Sequence, residues 1–130
     1  MLIERLRRAI DDHDLDGFAA CFAPGYDSRQ PAHPARAFTG REQVRRNWGR
    51  FFEDVPDLRA ELAAHARADG VEWGEWHWHG THRDGTAFDM RGTTLFGVQD
   101  GLIRWGRLYM EETEQDGAGI DRTVRRLTGE

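Results

Sequence analysis

One stretch constrains this chain more than any other. From Val71 to Glu111 it reads VEWGEWHWHGTHRDGTAFDMRGTTLFGVQDGLIRWGRLYME. Apolar and polar side chains alternate, and the alternation is broken by Arg83-Asp84-Gly85 and again by Gln99-Asp100-Gly101. Asp-Gly between alternating segments is a strong hairpin signal, because the turn needs residues that tolerate positive φ. The stretch therefore predicts three antiparallel strands. With each turn taken as a three-residue loop, the register follows. One face receives Glu72 with Phe96 and Arg104, Gly74 with Thr94 and Gly106, Trp76 with Gly92 and Leu108, and Trp78 with Met90 and Met110. The other receives Trp73 with Leu95 and Trp105, Glu75 with Thr93 and Arg107, His77 with Arg91 and Tyr109, and His79 with Asp89 and Glu111. The first face is mostly apolar and the second mostly polar, whereas a slip of one residue would mix them.

The remaining chain supplies helices to cover the apolar face. Leu2, Ile3, Leu6, Ala9 and Ile10 form one stripe at helical spacing. Asp14 can cap a short second helix whose Leu15, Phe18 and Phe22 share a side, ended by Pro24-Gly25. Gly25 to Phe38 reads as a loop. Thr39 and Glu42 have the spacing of a capping box for a third helix, with Val44, Trp48, Phe51 and Phe52 on its inner side and Pro56 as its stop. Leu58 to Asp69 reads as a further strand, with Ala60, Leu62, Ala64 and Ala66 on one side, turning at Asp69-Gly70. A short helix over about 119–128 carries Ile120, Val124 and Leu127. Helices first and long antiparallel strands after them predict one α+β domain, core 2–112, in which a strongly curved sheet wraps the N-terminal helices.

Charge narrows the partners. A net charge of −5 and a pI of 5.7, with the two signs mixed along the chain, argue against a nucleic acid or an anionic membrane as partner. No apolar run suits a leader or a bilayer span. The single cysteine, Cys21, is expected to be a buried structural thiol. A cytoplasmic location is the expectation.

On the apolar face the small residues Gly74, Gly92, Thr94 and Gly106 adjoin, which predicts a hollow walled by Trp76, Trp78, Met90, Phe96, Leu108 and Met110 and closed by Trp48 and Phe52. The competing expectation is that helix aromatics fill the space. Tyr26, Asp27, Gln30 and His33 would roof the hollow, Thr94 would floor it, and Glu72 and Arg104 would lie near one end. Asp27 and His33 are then the candidate acid/base groups. On the other face, Trp73, Leu95 and Trp105, beside Val71 and Ile103, form an apolar patch suited to a homodimer; cover by the C-terminal helix is the alternative. Glu75-x-His77-x-His79 has the spacing of strand-borne metal ligands, with Asp84 as a possible third. The register turns the histidines to the outer face beside Arg91, so no metal is expected. A two-residue first turn would instead point them inward.

The order and spacing of Asp14-Leu15-Asp16-Gly17-Phe18, Thr39-Gly40-Arg41-Glu42, Pro56-Asp57-Leu58, Gly80-Thr81-His82, Arg91-Gly92, Asp100-Gly101-x-Ile103 and Tyr109-x-Glu111 resemble the SnoaL-like branch of the nuclear transport factor two superfamily, over about residues 2–112. The resemblance implies a cone fold around a deep apolar pocket, frequent dimerisation through the outer sheet face, no cofactor, and relatives that include polyketide cyclases, ketosteroid isomerases, limonene epoxide hydrolases and dehydratases. Residue by residue the isomerase and hydrolase machinery does not carry over. The place of the isomerase base is Gln30, before Pro31; the place of its tyrosine donor is Leu6; the place of its protonated aspartate is about Thr94. The hydrolase aspartate of the last strand falls at Leu108. The expectation is a small-hydrophobic-molecule binder, with a cofactor-free cyclase, isomerase or dehydratase, a non-catalytic dimeric interaction domain and a metal-dependent barrel as the competing readings.

Overall fold

The structure is a computed structural model and describes residues 1–129. Helix α1 spans Leu2–Asp11, α2 Leu15–Ala19 and α3 Arg41–Asp54. The strands are β1 Phe22–Arg29, β2 Phe38–Thr39, β3 Arg59–Ala68, β4 Val71–Thr81, β5 Ala87–Gln99 and β6 Leu102–Glu112, and helix α4 spans Ile120–Leu127. The strands form one curved, open sheet in the order β2-β1-β6-β5-β4-β3. All neighbours run antiparallel except β1 with β6. Helices on the concave side complete the expected α+β layout.

The β4–β5 register is the expected one throughout, from Glu72 opposite Phe96 to Trp78 opposite Met90. The β5–β6 register differs, and for a physical reason. Asp100 and Gly101 both have positive φ, at 54° and 74°, so they form a two-residue turn between Gln99 and Leu102 rather than a three-residue loop. That change alone would reverse the faces of β6. A bulge at Arg104, between the pairs Val98 with Ile103 and Gly97 with Trp105, reverses them back. Gly106, Leu108 and Met110 therefore keep the concave face, but opposite Phe96, Thr94 and Gly92. Between turn and bulge the expectation inverts. Ile103 is in the core, not in the outer patch, and Arg104 is exposed near Asp100, not at the end of the cavity.

Two further expectations change. The segment after α2 is a strand, not a loop. Tyr26 and Ser28 are buried while Pro24, Gly25 and Arg29 are exposed, and β1 lies parallel to β6 with a register shift between Phe22 and Asp27. Pro24 sits within that shift, where a missing N–H does least harm. The capping box at Thr39 does not form: Thr39 pairs with Asp27 in β2, and Gly40, at φ 103°, caps α3 without a side-chain bond. Asp14 does cap α2, accepting from the Gly17 amide at 2.9 Å.

Helix α1 is tied to the sheet by a buried carboxylate. Glu72, only 1% exposed, accepts from the Ile3 amide at 2.9 Å, at the helix start where Met1 offers no side-chain cap. Glu72 thus clamps α1 instead of bordering the cavity. Helix α4 leaves Ile120, Val124 and Leu127 exposed.

Candidate ligand cavity

The helices and the concave sheet face enclose a cavity of about 370 Å³. Its walls come from the elements the sequence pointed to. Trp76 and Trp78 project from β4, Met90 and Thr94 from β5, and Leu108 and Met110 from β6. Tyr26 enters from β1, Gln30 from just beyond it, and Trp48 from α3. Phe52 does not line the cavity. One residue along a helix is a rotation of about 100°, so Phe51 takes the inner position and Phe52 stacks on His13, ring centroids 4.7 Å apart.

The inward glycines do not open the hollow. A Cβ on Gly74 would lie 2.5 Å from Ile3 Cδ1, and one on Gly106 would lie 2.2 Å from Tyr26 Oη. Gly74 lets α1 dock and Gly106 seats the Tyr26 hydroxyl. A Cβ on Gly92 would meet the Tyr109 carbonyl oxygen at 2.0 Å, so there the strands themselves close in. The cavity lies beside these contacts, between α3, β1 and the tryptophans.

The tryptophans are held in place. Trp76 Nε1 donates to Thr94 Oγ1 at 2.8 Å, in a buried bond. Trp48 packs edge-on against Trp78 at 5.1 Å and on Phe18 at 4.5 Å. Phe22 meets Tyr26 edge-on at 4.7 Å. Interlocked aromatics of this kind give a rigid apolar wall with few rotamers to lose on binding.

The polar lining is of one kind. Inside are the Tyr26 and Ser28 hydroxyls and Thr94; Gln30 and Asn47 stand further out, with Arg36 and Arg50, both exposed, at the opening. Arg36 donates to Gln30 Oε1 at 3.0 Å. Burial pushes the Tyr26 phenol up to about 12, against a smaller opposing effect of the Ser28 hydroxyl, so it stays a neutral donor. The sequence does not single out Ser28, Arg36, Phe38, Asn47 or Arg50, and it places Phe51 on the inner side of α3 without assigning it to the cavity. Asn47 is visible in principle, three residues after Val44 on the helix stripe.

Among the described residues no aspartate, glutamate or histidine lines the cavity. Asp27 lies on β1 between Tyr26 and Ser28, so its side chain points the other way and pairs with Arg29 at 3.2 Å. His33 Nε2 lies 2.6 Å from Glu111 Oε1, outside the cavity. The two candidate acid/base groups are therefore not brought over the hollow.

On the convex face Trp73 is 37% exposed, Leu95 and Trp105 are half-buried, and the Arg107 guanidinium lies 4.8 Å over the Trp105 ring. His77 and His79 also face outward, as the register predicted. Cys21 is buried, and burial raises its thiol pKa, which makes it an inert thiol. Among the described residues, no helix is long and apolar enough to cross a membrane.

The model of the SnoaL-like domain matches residues 3–105. The chain belongs to the SnoaL-like family. Solved SnoaL-like and related structures share its fold. IdmH of Streptomyces antibioticus, a candidate polyketide cyclase, superposes with a TM-score of 0.72 at 20% identity, covering 84% of this chain and 88% of that one. A Mycobacterium tuberculosis protein solved with estradiol-17beta-hemisuccinate gives 0.70 at 18% identity, covering 82% and 88%. A Catenulispora acidiphila protein with a ketosteroid isomerase-like fold, solved with trimethylamine, gives 0.70 at 18%, covering 82% of each chain. At such identities the SnoaL-like likeness is one of fold. No curated protein matches the sequence.

Proposed function

We propose that this SnoaL-like protein binds one small, mostly apolar molecule in the cavity and performs no carboxylate- or histidine-driven proton transfer on it. The observation that carries this reading is the lining: rigid aromatics, neutral hydroxyls and two arginines at the opening, with no carboxylate or imidazole among the described lining residues. Carbon acids need a base placed within hydrogen-bond reach, and this lining has none. Tyr26, Gln30, Trp48, Trp76, Trp78, Met90, Thr94, Leu108 and Met110 would contact the ligand. Among the described residues neither Arg36 nor Arg50 has a carboxylate within 4.0 Å, so a ligand with an acceptor or anionic end would orient that end outward. The ligand-bound relatives agree with small-molecule binding.

The alternative is a cofactor-free cyclase, isomerase or dehydratase. Its support is the likeness to a candidate polyketide cyclase. Asp27 or His33 would have to turn inward to serve it. A homodimer through Trp73, Leu95 and Trp105 accompanies either reading.

Titration of tryptophan fluorescence with aryl carboxylates and their methyl esters tests the binding reading. Saturable quenching is expected, lost in Leu108→Trp, which fills the cavity, and with the acids favoured over the esters by a margin that Arg50→Gln removes. Quenching that survives Leu108→Trp unchanged would place the ligand elsewhere and end the proposal.

A further inference from the structure

The convex face carries a second constellation, independent of the cavity. His77 and His79 are two residues apart on β4, so both rings project to the same side, with centroids 4.7 Å apart. The neighbouring strand adds a third donor, because the bulge between Leu62 and Ala64 shifts the register set by the Asp69-Gly70 turn and brings Glu61 directly opposite His77. His77 Nδ1 lies 3.2 Å from Glu61 Oε2, and His79 Nε2 lies 3.7 Å from Glu61 Oε1. One donor atom from each of the three residues lies within 4.8 Å of the others.

We propose that Glu61, His77 and His79 bind a divalent transition-metal ion of the zinc class. His77 is also held on its far side. Its Nε2 is 2.9 Å from Asp89 Oδ2, so carboxylates face both ring nitrogens. A neutral imidazole has one N–H, and one of these contacts would then set a lone pair against a carboxylate. A cation at Nδ1 resolves this. Nε2–H donates to Asp89, and Nδ1 shares the ion with Glu61 and His79. Metal-bound histidines characteristically give their other nitrogen to a carboxylate in this manner.

The geometry is within reach. Zinc takes imidazole nitrogen at about 2.0–2.1 Å, which puts tetrahedral ligand atoms roughly 3.4 Å apart. The Glu61 side chain, 65% exposed, can move to close the remaining distance. Two imidazoles and one carboxylate favour zinc, nickel, cobalt or copper over calcium or magnesium. Arg91, across the sheet from His77, is the obvious objection. Its Nε lies 3.6 Å from the other oxygen of Asp89, so that carboxylate takes up its charge. Arg59, opposite His79, is exposed and water-screened. Water would take the fourth position. The ion would staple the edge strand β3 to β4 at the bulge between Leu62 and Ala64.

The test is titration of the chelator-stripped full chain with cobalt, read by visible absorption, and with zinc in competition with a chromophoric chelator. Binding at one equivalent with nitrogen-type cobalt bands is expected. His79→Ala should weaken it at least ~10-fold, and Asp89→Asn, which leaves all three ligands, by ~10-fold or more. His82→Ala, whose ring instead meets Asp54 at 2.7 Å, should change nothing. All of these side chains reach solvent, and circular dichroism of each variant checks its fold. Failure of one equivalent to bind, indifference to His79→Ala or Asp89→Asn, or an equal loss in His82→Ala would overturn the proposal.

Discussion

Removing the Glu72 carboxylate should unfasten the helix that floors the cavity. Glu72 is 1% exposed, and among the described residues the only hydrogen bond its carboxylate makes is the one accepted from the Ile3 amide at 2.9 Å. Leu6 and Ile10, one and two turns further along the same helix, line the cavity. Glu72→Ala strips the partner from a buried amide at a helix start. A buried donor left unpaired costs roughly 1–3 kcal/mol, and loss of negative charge at the positive helix end adds about 0.3–1 kcal/mol. The sum is about 3 kcal/mol, or roughly a 12 °C fall in Tm for a domain of this size. Glu72→Gln keeps a carbonyl acceptor and loses only the charge, so it should cost about 1 kcal/mol. Urea unfolding of both variants separates these effects. Ligand quenching should weaken in Glu72→Ala more than in Glu72→Gln, because only the former lets α1 shift. An alanine variant within about 1 kcal/mol of wild type would mean that the amide finds another partner, and the clamp argument would fail.

The other predictions concern the cavity and the outer face. Tyr26 should titrate late: in a Tyr109→Phe background, the phenolate absorption should stay flat up to about pH 11 and rise towards 12. Because the folded pKa is raised from 10 to about 12, the group contributes stability below pH 10 that is lost as pH rises through 10–12, about 2–3 kcal/mol in all, and Tyr26→Phe should abolish that slope in alkaline urea melts. Trp73, 37% exposed on the convex face, anchors the proposed dimer. Trp73→Glu should halve the mass measured by light scattering while leaving the circular dichroism unchanged, and a wild-type mass of one chain would remove the dimer from consideration.

Legibility in the sequence followed the range of the interactions that decide each element. Trp76 and Trp78 were assigned to the concave face because Asp84-Gly85 is a local signal and one turn fixes the register of two strands; Gly85 indeed has φ 89° and the His82 amide donates to the Thr86 carbonyl at 2.8 Å. The β6 strand shows the limit of such reasoning. Nothing in Leu102-Ile103-Arg104-Trp105 announces a bulge. It arises because Ile103 docks in the core while Arg104 seeks solvent beside Asp100, and a tertiary preference of that kind outweighs alternation. Phe51 and Phe52 were inseparable for a similar reason. Both lie within the apolar stripe, and only the angle at which α3 meets β1 selects Phe51 for the cavity.

Asp27 is kept from the cavity by one local feature, a strand over Phe22–Arg29 where the sequence reads as loop from residue 25 to 38. A loop allows consecutive side chains to converge, and on that basis Tyr26, Asp27, Gln30 and His33 could all roof one hollow. A strand does not allow it. Once Asp27 to Arg29 pair with β6, the alternation that turns Tyr26 and Ser28 inward turns Asp27 and Arg29 outward. Tyr26 and Asp27 therefore compete for the cavity, and burial decides between them. The aromatic ring packs against Phe22 and over Gly106, where the space of a missing side chain receives its hydroxyl, while among the described lining residues no buried cation awaits a carboxylate there. An Asp27 that reached inward would have to expel Tyr26 from that seat and leave its own charge unpaired in an aromatic wall, at a cost of several kcal/mol. The parallel pairing of β1 with β6 thus accounts for the neutral lining of the cavity, the observation on which the proposed binding reading rests.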